Sequence, residues 1–418
     1  IAQAVFILPE KSYNGHFSCD AIDRASNSTV GTNGSYTDGK YRVVVDSTAP
    51  EWLESYISAE QYINEATLDV IDTPDKTSDT WFAISQNEAI IKFKINEANF
   101  YSEDFNVAGT SFNNMNCTVT LSKDGGAPYP VTAEWSDEGD VHSGTVVISE
   151  EGDYRLNVSY SDRSGNAMNS YISPKIVIDR TAPVISAEYN STMPPNNGNC
   201  YRKDVSVTIT VKERYFRAED MAFSLTEAKD VSGKIIDGFA EIEDNFLQAL
   251  KDRNNWSSSG DIHTATITFS TDANYAFALN CTDVAGNSSE QFDSEKFTVD
   301  KTSPYGITID YSEPRLSAVI SAVTFNYYNP SATVTITASD DTSGIDSISW
   351  NYNRADGASG TNVVSDSGVI SDLDYSAGGR IATGKFVLPY SGSNGQYYGN
   401  ITVSAVDKAG NSSPEYRD

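Results

Sequence analysis

Hydrophobic residues of this chain follow a period of two in many short segments. In the segment IIKFKI, Ile91, Phe93 and Ile95 alternate with two lysines. Alternation of this kind is typical of a β-strand with one buried face and one solvent face. Similar segments recur along the sequence, each bounded by residues that favour turns. The pattern therefore predicts a protein built from short β-strands.

The predicted strands fall into three successive blocks. They span 88–95, 117–121, 131–135, 145–149, 154–160 and 175–178 in the first block, 204–211, 264–269, 275–281 and 295–299 in the second, and 332–338, 347–352, 384–390 and 399–406 in the third. Each block occupies about 120 residues, and no crossover helix is predicted between strands. This arrangement favours an all-β, antiparallel Greek-key sandwich of the immunoglobulin-like type.

One segment breaks the β-pattern. Residues 241–252, EIEDNFLQALKD, place Ile242, Phe246 and Leu250 near one face at helical spacing. We predict a short helix inserted in the second full domain, followed by an exposed loop that carries Trp256. Because the insertion occurs once, Phe246, Leu250 and Trp256 are candidate partner-binding residues. The alternative is that the insertion is neutral decoration of the domain.

Two phrases repeat along the chain and divide it into domains. The first is VVVDSTAP at 43–50, IVIDRTAP at 176–183 and FTVDKTSP at 297–304, and the second is an Asp-x-x-x-Asn turn at 23–27, 162–166, 283–287 and 407–411. Copies lie about 120–140 residues apart, which suits whole domains better than solenoid repeats. The predicted domains are 1–46, the C-terminal part of an Ig-like domain; 47–179; 180–300, with the helical insertion; and 301–418, which lacks its last strand. We expect a tandem, elongated array that is part of a longer protein.

The alternation of V-D-x-T-A-P linkers with D-x-A-G-N turns resembles the bacterial Ig-like repeats of large Gram-positive surface proteins. The resemblance covers essentially the whole chain, with Ser303 replacing Ala in one linker and Ala25-Ser26 replacing Ala-Gly in one turn. It implies an extracellular location, at the cell surface or secreted, and an adhesin-like stalk that binds host proteins. A second hypothesis is a dedicated binding module for a secreted host protein, such as an immunoglobulin or a mucin glycoprotein. A remote third is a non-catalytic region of a secreted enzyme.

Charge and motif content narrow the function classes. The net charge of −29 disfavours binding to nucleic acid or to anionic membranes. The longest apolar run, 316–325, is about half the length that a membrane span needs, so no membrane insertion is expected. The sequence contains no HExxH motif, no glycine-rich phosphate loop and no Ser/His/Asp set within one domain. We therefore do not expect an enzyme.

Acidic residues from three parts of each domain are predicted to meet beside the linker. In an Ig-like fold, the loop after the second strand and the turn after the sixth lie at the end where the chain enters. The residues concerned are Asp46, Glu97, Asp104, Asp162 and Asn166 at the first junction, Asp179, Glu213, Asp220, Asp283 and Asn287 at the second, and Asp300, Asp340, Asp341, Asp407 and Asn411 at the third. Such oxygen ligands suit Ca²⁺. The alternative is no cofactor, with Asp and Gly shaping tight turns.

The cysteines leave two readings open. Of Cys19, Cys117, Cys200 and Cys281, only Cys200 and Cys281 share a predicted domain. They are candidates for a disulfide, but Ig-like topology would place them at opposite ends of the sandwich, beyond the Cα separation of roughly 7 Å that a disulfide spans. The other reading is free thiols.

Overall fold

The computed structural model describes residues 13–15, 43–74, 80–105, 117–312, 332–356, 362–388 and 400–417. These residues are mostly β-strand, which confirms the all-β class. Two compact units are present, 1–181 with 284–286 and 182–283 with 287–418. Of the predicted 1–46 fragment, strand β1 (Tyr13–Gly15), strand β2 (Val43–Val45) and Asp46 are described. Cys19, the turn at 23–27 and the apolar run at 316–325 lie outside the described residues.

The first unit contains a domain with two sheets. Its strands are β3 Glu51–Ser58, β4 Gln61–Asn64, β5 Trp81–Ser85, β6 Ala89–Asn96, β7 Thr118–Lys123, β8 Tyr129–Pro130, β9 Glu134–Glu138, β10 Val141–Ile148, β11 Gly152–Ser159, β12 Tyr171–Ile172 and β13 Lys175–Ile178. One sheet has the order β3-β6-β10-β9 and the other β4-β5-β13-β11-β7-β8, with β12 beside β11. Phe93 of the first sheet and Leu156 of the second are buried in one core. The alternation read in β6 therefore marks its core face.

The second unit begins with a domain built on the same plan. Its elements are β14 Val184–Ser191, β15 Cys200–Tyr201, β16 Val205–Lys212, β17 Met221–Lys229, α1 Phe239–Lys251, β18 Ser257–Ser259, β19 Ile262–Phe269, β20 Ala273–Cys281, β21 Phe292–Asp293 and β22 Phe297–Val299. The sheet orders are β14-β16-β19-β18 and β15-β22-β20-β17, with β21 beside β20. Buried residues from both sheets, including Ile209 and Phe277, form the core.

A third domain completes the second unit. Its strands are β23 Tyr305–Ser312, β24 Ala332–Ser339, β25 Ile345–Asp356, β26 Asn362–Ile370, β27 Asp374–Ser376, β28 Ile381–Leu388, β29 Ile401–Asp407 and β30 Tyr416–Arg417. They form sheets of order β23-β24-β28-β27 and β26-β25-β29-β30. Trp350 of β25 stacks on Phe386 of β28 at 4.1 Å between ring centroids. In the described residues, short 3-10 helices occur at Ser102–Phe105, Ala218–Asp220, Arg253–Asn255 and Ala377–Gly379.

The helix lies where the sequence predicts it, but its hydrophobic residues are not an exposed binding patch. Leu250 is fully buried, and the Phe246 ring lies 4.7 Å from Phe269 in the core. The Trp256 indole packs 4.6 Å from Phe216 and donates a 2.8 Å hydrogen bond to the Leu250 carbonyl. These contacts show that Phe246, Leu250 and Trp256 join the insertion to its own domain. Leu250 is buried and Phe246 and Trp256 are half-buried, so partner binding through these side chains stays a prediction.

The disulfide left open by the sequence is not formed. Cys200 and Cys281 are both free thiols, as is Cys117. Cys200 lies in β15 and Cys281 in β20, and β22 separates these strands within one sheet. Burial raises the pKa of the Cys281 thiol to about 12. Cys200 is therefore a half-buried free thiol and Cys281 a buried free thiol.

Candidate cation site at the start of a domain

Three carboxylates from separate segments meet at one end of the first domain. Asp46 follows β2, Glu97 follows β6, and Asp162 lies three residues after the last residue of β11. One carboxylate oxygen from each lies within 4.8 Å of the other two. Glu97 and Asp162 are buried, and Asp46 is half-buried. We call this group the first triad.

The turn after β11 fixes one member of the first triad. Asp162 Oδ1 accepts hydrogen bonds from the backbone N–H groups of Ser164 at 2.9 Å and Asn166 at 2.8 Å. Gly165 has a φ of +93°, which explains the glycine in this phrase because residues with a Cβ rarely adopt that conformation. The predicted local role of the turn is thus confirmed, and the Asp162 carboxylate is held in one position.

Asn166 attaches the linker to this turn. Its Nδ2 donates to the Asp46 carbonyl at 3.0 Å and to Asp162 Oδ2 at 2.8 Å. Asn99 provides a second tie, because its Nδ2 donates to Asp46 Oδ2 at 2.7 Å. The sequence proposed Asn166 as an oxygen ligand, whereas its amide N–H group holds the linker and the triad together.

The third junction repeats this geometry within the second unit. Carboxylate oxygens of Asp300, Asp340 and Asp407 lie within 4.8 Å of one another, and all three residues are buried. Asn411 donates to the Asp300 carbonyl at 2.8 Å and to Asp407 Oδ2 at 2.9 Å. We call this group the third triad.

Asp300 connects two domains directly. Its backbone N–H donates to the Tyr201 carbonyl of the second domain at 2.8 Å. Its Oδ2 accepts a 3.0 Å hydrogen bond from the Ser343 N–H of the third domain. The side chain that supplies one triad carboxylate therefore also belongs to the junction itself.

At the second junction, the residues have the same local hydrogen bonds in their own units. In the first unit, Thr181 N–H donates to Asp179 Oδ1 at 3.0 Å. In the second unit, Tyr215 N–H donates to Glu213 Oε1 at 2.7 Å, and Asn287 N–H donates to Asp283 Oδ1 at 2.9 Å. Each carboxylate is thus held by its own turn, as are its counterparts at the other junctions.

Three further acidic residues that the sequence placed with these groups are paired with arginines instead. Arg163 Nη2 lies 2.9 Å from Asp104 Oδ1. Arg217 Nε donates to Asp220 at 2.6 Å, and Arg380 Nε donates to Asp341 at 2.7 Å. Asp104, Asp220 and Asp341 are thus paired with guanidinium groups and are not among the carboxylates that lie within 4.8 Å of one another in the triads.

Electrostatic repulsion within the third triad is only partly offset. Burial raises the pKa of Asp300 to about 7, and the neighbouring Asp340 and Asp407 carboxylates act in the same direction. Burial likewise raises the pKa of Asp407 to about 6 and raises that of Asp340. Hydrogen bonds from Ser343, Thr302 and Asn411 oppose these shifts. Buried carboxylates that face one another become stable when they share a proton or bind a cation.

The first triad has the same electrostatic character. Burial raises the pKa of Glu97, and the Asp46 and Asp162 carboxylates raise it further. The backbone N–H of Asn99, which donates to Glu97 Oε1 at 2.7 Å, acts in the opposite direction. A cation bound among these three side chains would remove the repulsion that raises the pKa of Glu97.

The chemistry of the donors fits Ca²⁺. All three side chains of each triad are carboxylates, which are the hard oxygen ligands that Ca²⁺ prefers. Two oxygens on opposite sides of one Ca²⁺ ion stand roughly 4.6–5.2 Å apart, which is twice the usual Ca–O distance. Separations within 4.8 Å therefore allow all three carboxylates to reach a single ion. Backbone carbonyls and water would supply the remaining ligands.

Sequence reasoning missed two histidines that support these loops. His142 Nε2 lies 2.8 Å from the Glu97 carbonyl oxygen, and His263 Nε2 lies 2.7 Å from the Glu213 carbonyl oxygen. Each ring stacks on a phenylalanine of the same loop, Phe100 in one case and Phe216 in the other. The shared tripeptides Asp-Val-His and Asp-Ile-His, at 140–142 and 261–263, were the available signal.

Comparison with known proteins gives little further information. No protein-family model matches the chain, and no curated protein matches it. A solved structure, dimeric latent PorU from Porphyromonas gingivalis, is 13% identical over 87% of this chain and 33% of that chain, with a TM-score of 0.22. The chain thus spans about a third of that protein's length, and the likeness is too weak to support an argument. Among the described residues, no helix is long and apolar enough to cross a membrane.

Proposed function

We propose that this chain is a segment of an extended array of Ig-like domains on the outside of a bacterial cell. In this proposal it acts as an adhesin-like stalk, and Ca²⁺ bound by the acidic triads stiffens the junctions between domains. The repeated triad is the observation that carries the proposal, because each copy combines a linker aspartate with two loops of the domain that follows. A cation held by all three segments would restrict the angle at which the chain enters that domain.

Strand order supports the Ig-like part of the proposal. The third domain has sheets β23-β24-β28-β27 and β26-β25-β29-β30. If its eight strands are named A, B, C, C′, D, E, F and G in chain order, these sheets are A-B-E-D and C′-C-F-G. Immunoglobulin-like sandwiches have this order and Greek-key connections. The second domain follows the same order, with β15 as an additional strand beside its last strand β22.

The affinity that is usual for Ca²⁺ sites in extracellular modules is compatible with an extracellular role for the triads. Ca²⁺ sites of extracellular modules commonly have dissociation constants of about 10⁻⁴–10⁻³ M. A cation that binds only the folded state stabilises it by about 1.4 kcal/mol when its free concentration is ten times the dissociation constant, which is about 1 mM at the tighter end of this range. The net charge of −29 also favours a soluble chain whose domains repel one another. An array with these properties is stiff where Ca²⁺ is abundant.

Calorimetric unfolding with and without Ca²⁺ tests the metal part of the proposal. We expect the unfolding temperature to rise by several degrees in Ca²⁺ relative to EDTA. Asp407→Asn should reduce the rise in the second unit, whereas Asp341→Asn, which changes an arginine-paired carboxylate outside the third triad, should retain it. Equal unfolding temperatures of the wild-type chain in Ca²⁺ and EDTA would refute Ca²⁺ binding.

A pull-down from mucosal secretions and serum tests the adhesive part. The prey would be identified by mass spectrometry in Ca²⁺ and in EDTA. Saturable capture of a host glycoprotein would support an adhesin, with contacts through sheet faces or loops outside the 241–256 insertion. Absence of any saturable partner in both buffers would contradict adhesion by this segment and leave the stalk role.

A further inference from the structure

We infer that a turn of the second domain docks into a glycine-lined recess of the third and holds the two domains in one fixed orientation without a cation. The turn comprises residues 230–234, which follow β17, and we call it the docking turn. The recess is formed by Gly344, Gly378 and Gly379. The inference deepens the proposed stalk function and rests on it for its biological meaning. Gly344 donates its backbone N–H to Asp340 Oδ1 of the third triad at 2.7 Å, but the contacts between the docking turn and the recess are made by other atoms.

The docking turn is preorganised by its first residue. Asp230 Oδ1 accepts hydrogen bonds from the N–H groups of Ser232 and Lys234, both at 2.9 Å, and from the Ser232 hydroxyl at 2.6 Å. Gly233 adopts a φ of +86°, which closes the turn. Val231 and Ser232 are therefore presented at the tip with little freedom to rearrange.

Missing side chains in the third domain create the recess. A Cβ placed on Gly378 would lie 3.0 Å from Ser232 Cβ and 3.1 Å from Ser232 Cα. A Cβ on Gly379 or Gly344 would lie 3.3 or 3.4 Å from Val231 Cγ2. All three glycines have positive φ values, between +70° and +96°. Glycine is thus required here for both backbone conformation and close approach.

Hydrogen bonds fix the docked turn and its surroundings. The Val231 N–H donates to the Asp341 carbonyl at 2.9 Å. Beside it, Asn274 Nδ2 donates to the Thr342 carbonyl at 2.9 Å, and Asn197 Nδ2 donates to Asp346 Oδ1 at 2.8 Å. These three donors come from separate segments of the second domain, so they restrain rotation about more than one axis. Their acceptors are outside the third triad, and cation binding is not needed to form them.

The recess is specific to the third domain among the described residues. Its loop after β24 contains Gly344, whereas the corresponding loops after β6 and β16, at 96–100 and 212–216, contain no glycine. The turn before β28 contains Gly378 and Gly379, whereas the turns before β10 and β19 contain only Gly139 and Gly260. The docking turn therefore fits a domain with these three glycines, and the order of the second and third domains is built into the surfaces that meet.

Hydrogen exchange of the Val231 amide in EDTA tests the inference. In the wild-type chain we expect this amide to exchange at least tenfold more slowly than the exposed amides of the Gly260 turn. Gly378→Ala should remove that protection and leave strands β17 and β25 protected. Gly260→Ala is the matched control, because Gly260 has a φ of +59° but no atom within 4 Å of an added Cβ.

Val231→Ala is a second variant in case Gly378→Ala fails to fold. This substitution removes the methyl groups that contact the recess, so the amide of residue 231 should exchange faster than in the wild-type chain. Rapid exchange of the wild-type Val231 amide in EDTA would overturn the inference. Protection of the Val231 amide in Ca²⁺ but not in EDTA would also overturn the inference, and it would support junctions that are stiffened by a bound cation. Protection in both buffers without Ca²⁺ binding would refute the metal proposal and retain the docked turn.

Discussion

Glu243 Oε1 accepts a 2.9 Å hydrogen bond from the backbone N–H of Leu225. Leu225 lies in β17, the outermost strand of its sheet, next to a bulge between Leu225 and Glu227. An edge strand exposes backbone donors that promote association with other chains. Helix α1 covers this edge, and Glu243 satisfies one of its donors. In the third domain, β26 pairs along β25 at the equivalent edge, so two domains close the same edge by different means.

Removal of the Glu243 carboxylate should destabilise the second domain. We expect Glu243→Ala to lower the free energy of unfolding by about 1–2 kcal/mol, because the Leu225 donor loses its partner. Glu243→Gln keeps an oxygen acceptor and should lose less. Asn245→Ala, at an exposed position of the same helix, is the control in urea denaturation. Equal losses for the two alanine variants would show that the hydrogen bond contributes nothing specific.

Phe246→Ala should reduce stability and leave any host-protein binding unchanged. The ring lies 4.7 Å from Phe269 and 5.7 Å from Phe223, so its deletion leaves a cavity in the core. Truncation of such a residue lowers the free energy of unfolding by about 3 kcal/mol. Ile235→Ala, which changes a side chain that is 55% exposed, should have a much smaller effect. Weaker partner binding by a variant that remains fully folded would restore the partner-contact interpretation.

The strands that the sequence predicted lie close to observed strands, because alternation records burial on one face. The predicted strand at 175–178 agrees with β13, and 204–211 differs from β16 by one residue. The segment 131–135 was wrong in part, since residues 131–133 lie outside strands. Several strands were not predicted, among them β5, β14 and β17. In β14 one face is only half-buried and the other is exposed, which weakens the hydrophobic signal.

The candidate site was predictable in place but not in detail. The repeated phrases located Asp300 and Asp407 beside the linker, because tight turns and linkers have local sequence signatures. Asp341 was predicted as a ligand but is paired with Arg380, which lies 39 positions away in sequence. No local sequence pattern encodes that pair. Phe246 illustrates a similar limit, since helical spacing identifies an apolar face but does not say whether the domain itself covers it.

Asp300→Asn should flatten the pH dependence of stability in the second unit when EDTA is present. The pKa of Asp300 is about 7 in the folded chain, above the value near 3.9 of an unfolded aspartate. The folded state therefore binds this proton more tightly, so the Asp300 contribution to stability falls as pH rises from about 4 to 7. Asparagine cannot ionise and lacks this contribution. In urea denaturation, the fall in the free energy of unfolding between about pH 4 and 7 should be about 1–3 kcal/mol larger for the wild-type chain than for Asp300→Asn.

Two comparisons make the pH experiment decisive. Asp310→Asn changes an exposed carboxylate on β23 and should retain the wild-type slope. Saturating Ca²⁺ should reduce the wild-type slope, because the bound cation keeps the third triad ionised. Identical slopes for wild type and Asp300→Asn in EDTA would mean that Asp300 titrates as an ordinary surface aspartate and that the triad carries no stored repulsion.

Asn411→Ala should weaken the connection between the second and third domains. The Asn411 amide donates to the Asp300 carbonyl at 2.8 Å and to Asp407 Oδ2 at 2.9 Å, so its removal leaves two acceptors without this donor. A loss of about 1–2 kcal/mol in the free energy of unfolding is expected. Ser412→Ala, which alters the neighbouring exposed residue, should have little effect. Because Asn411 also positions Asp407, the variant should bind Ca²⁺ more weakly in isothermal titration calorimetry. A variant with unchanged stability and unchanged Ca²⁺ affinity would show that the turn needs Asn only for its backbone conformation.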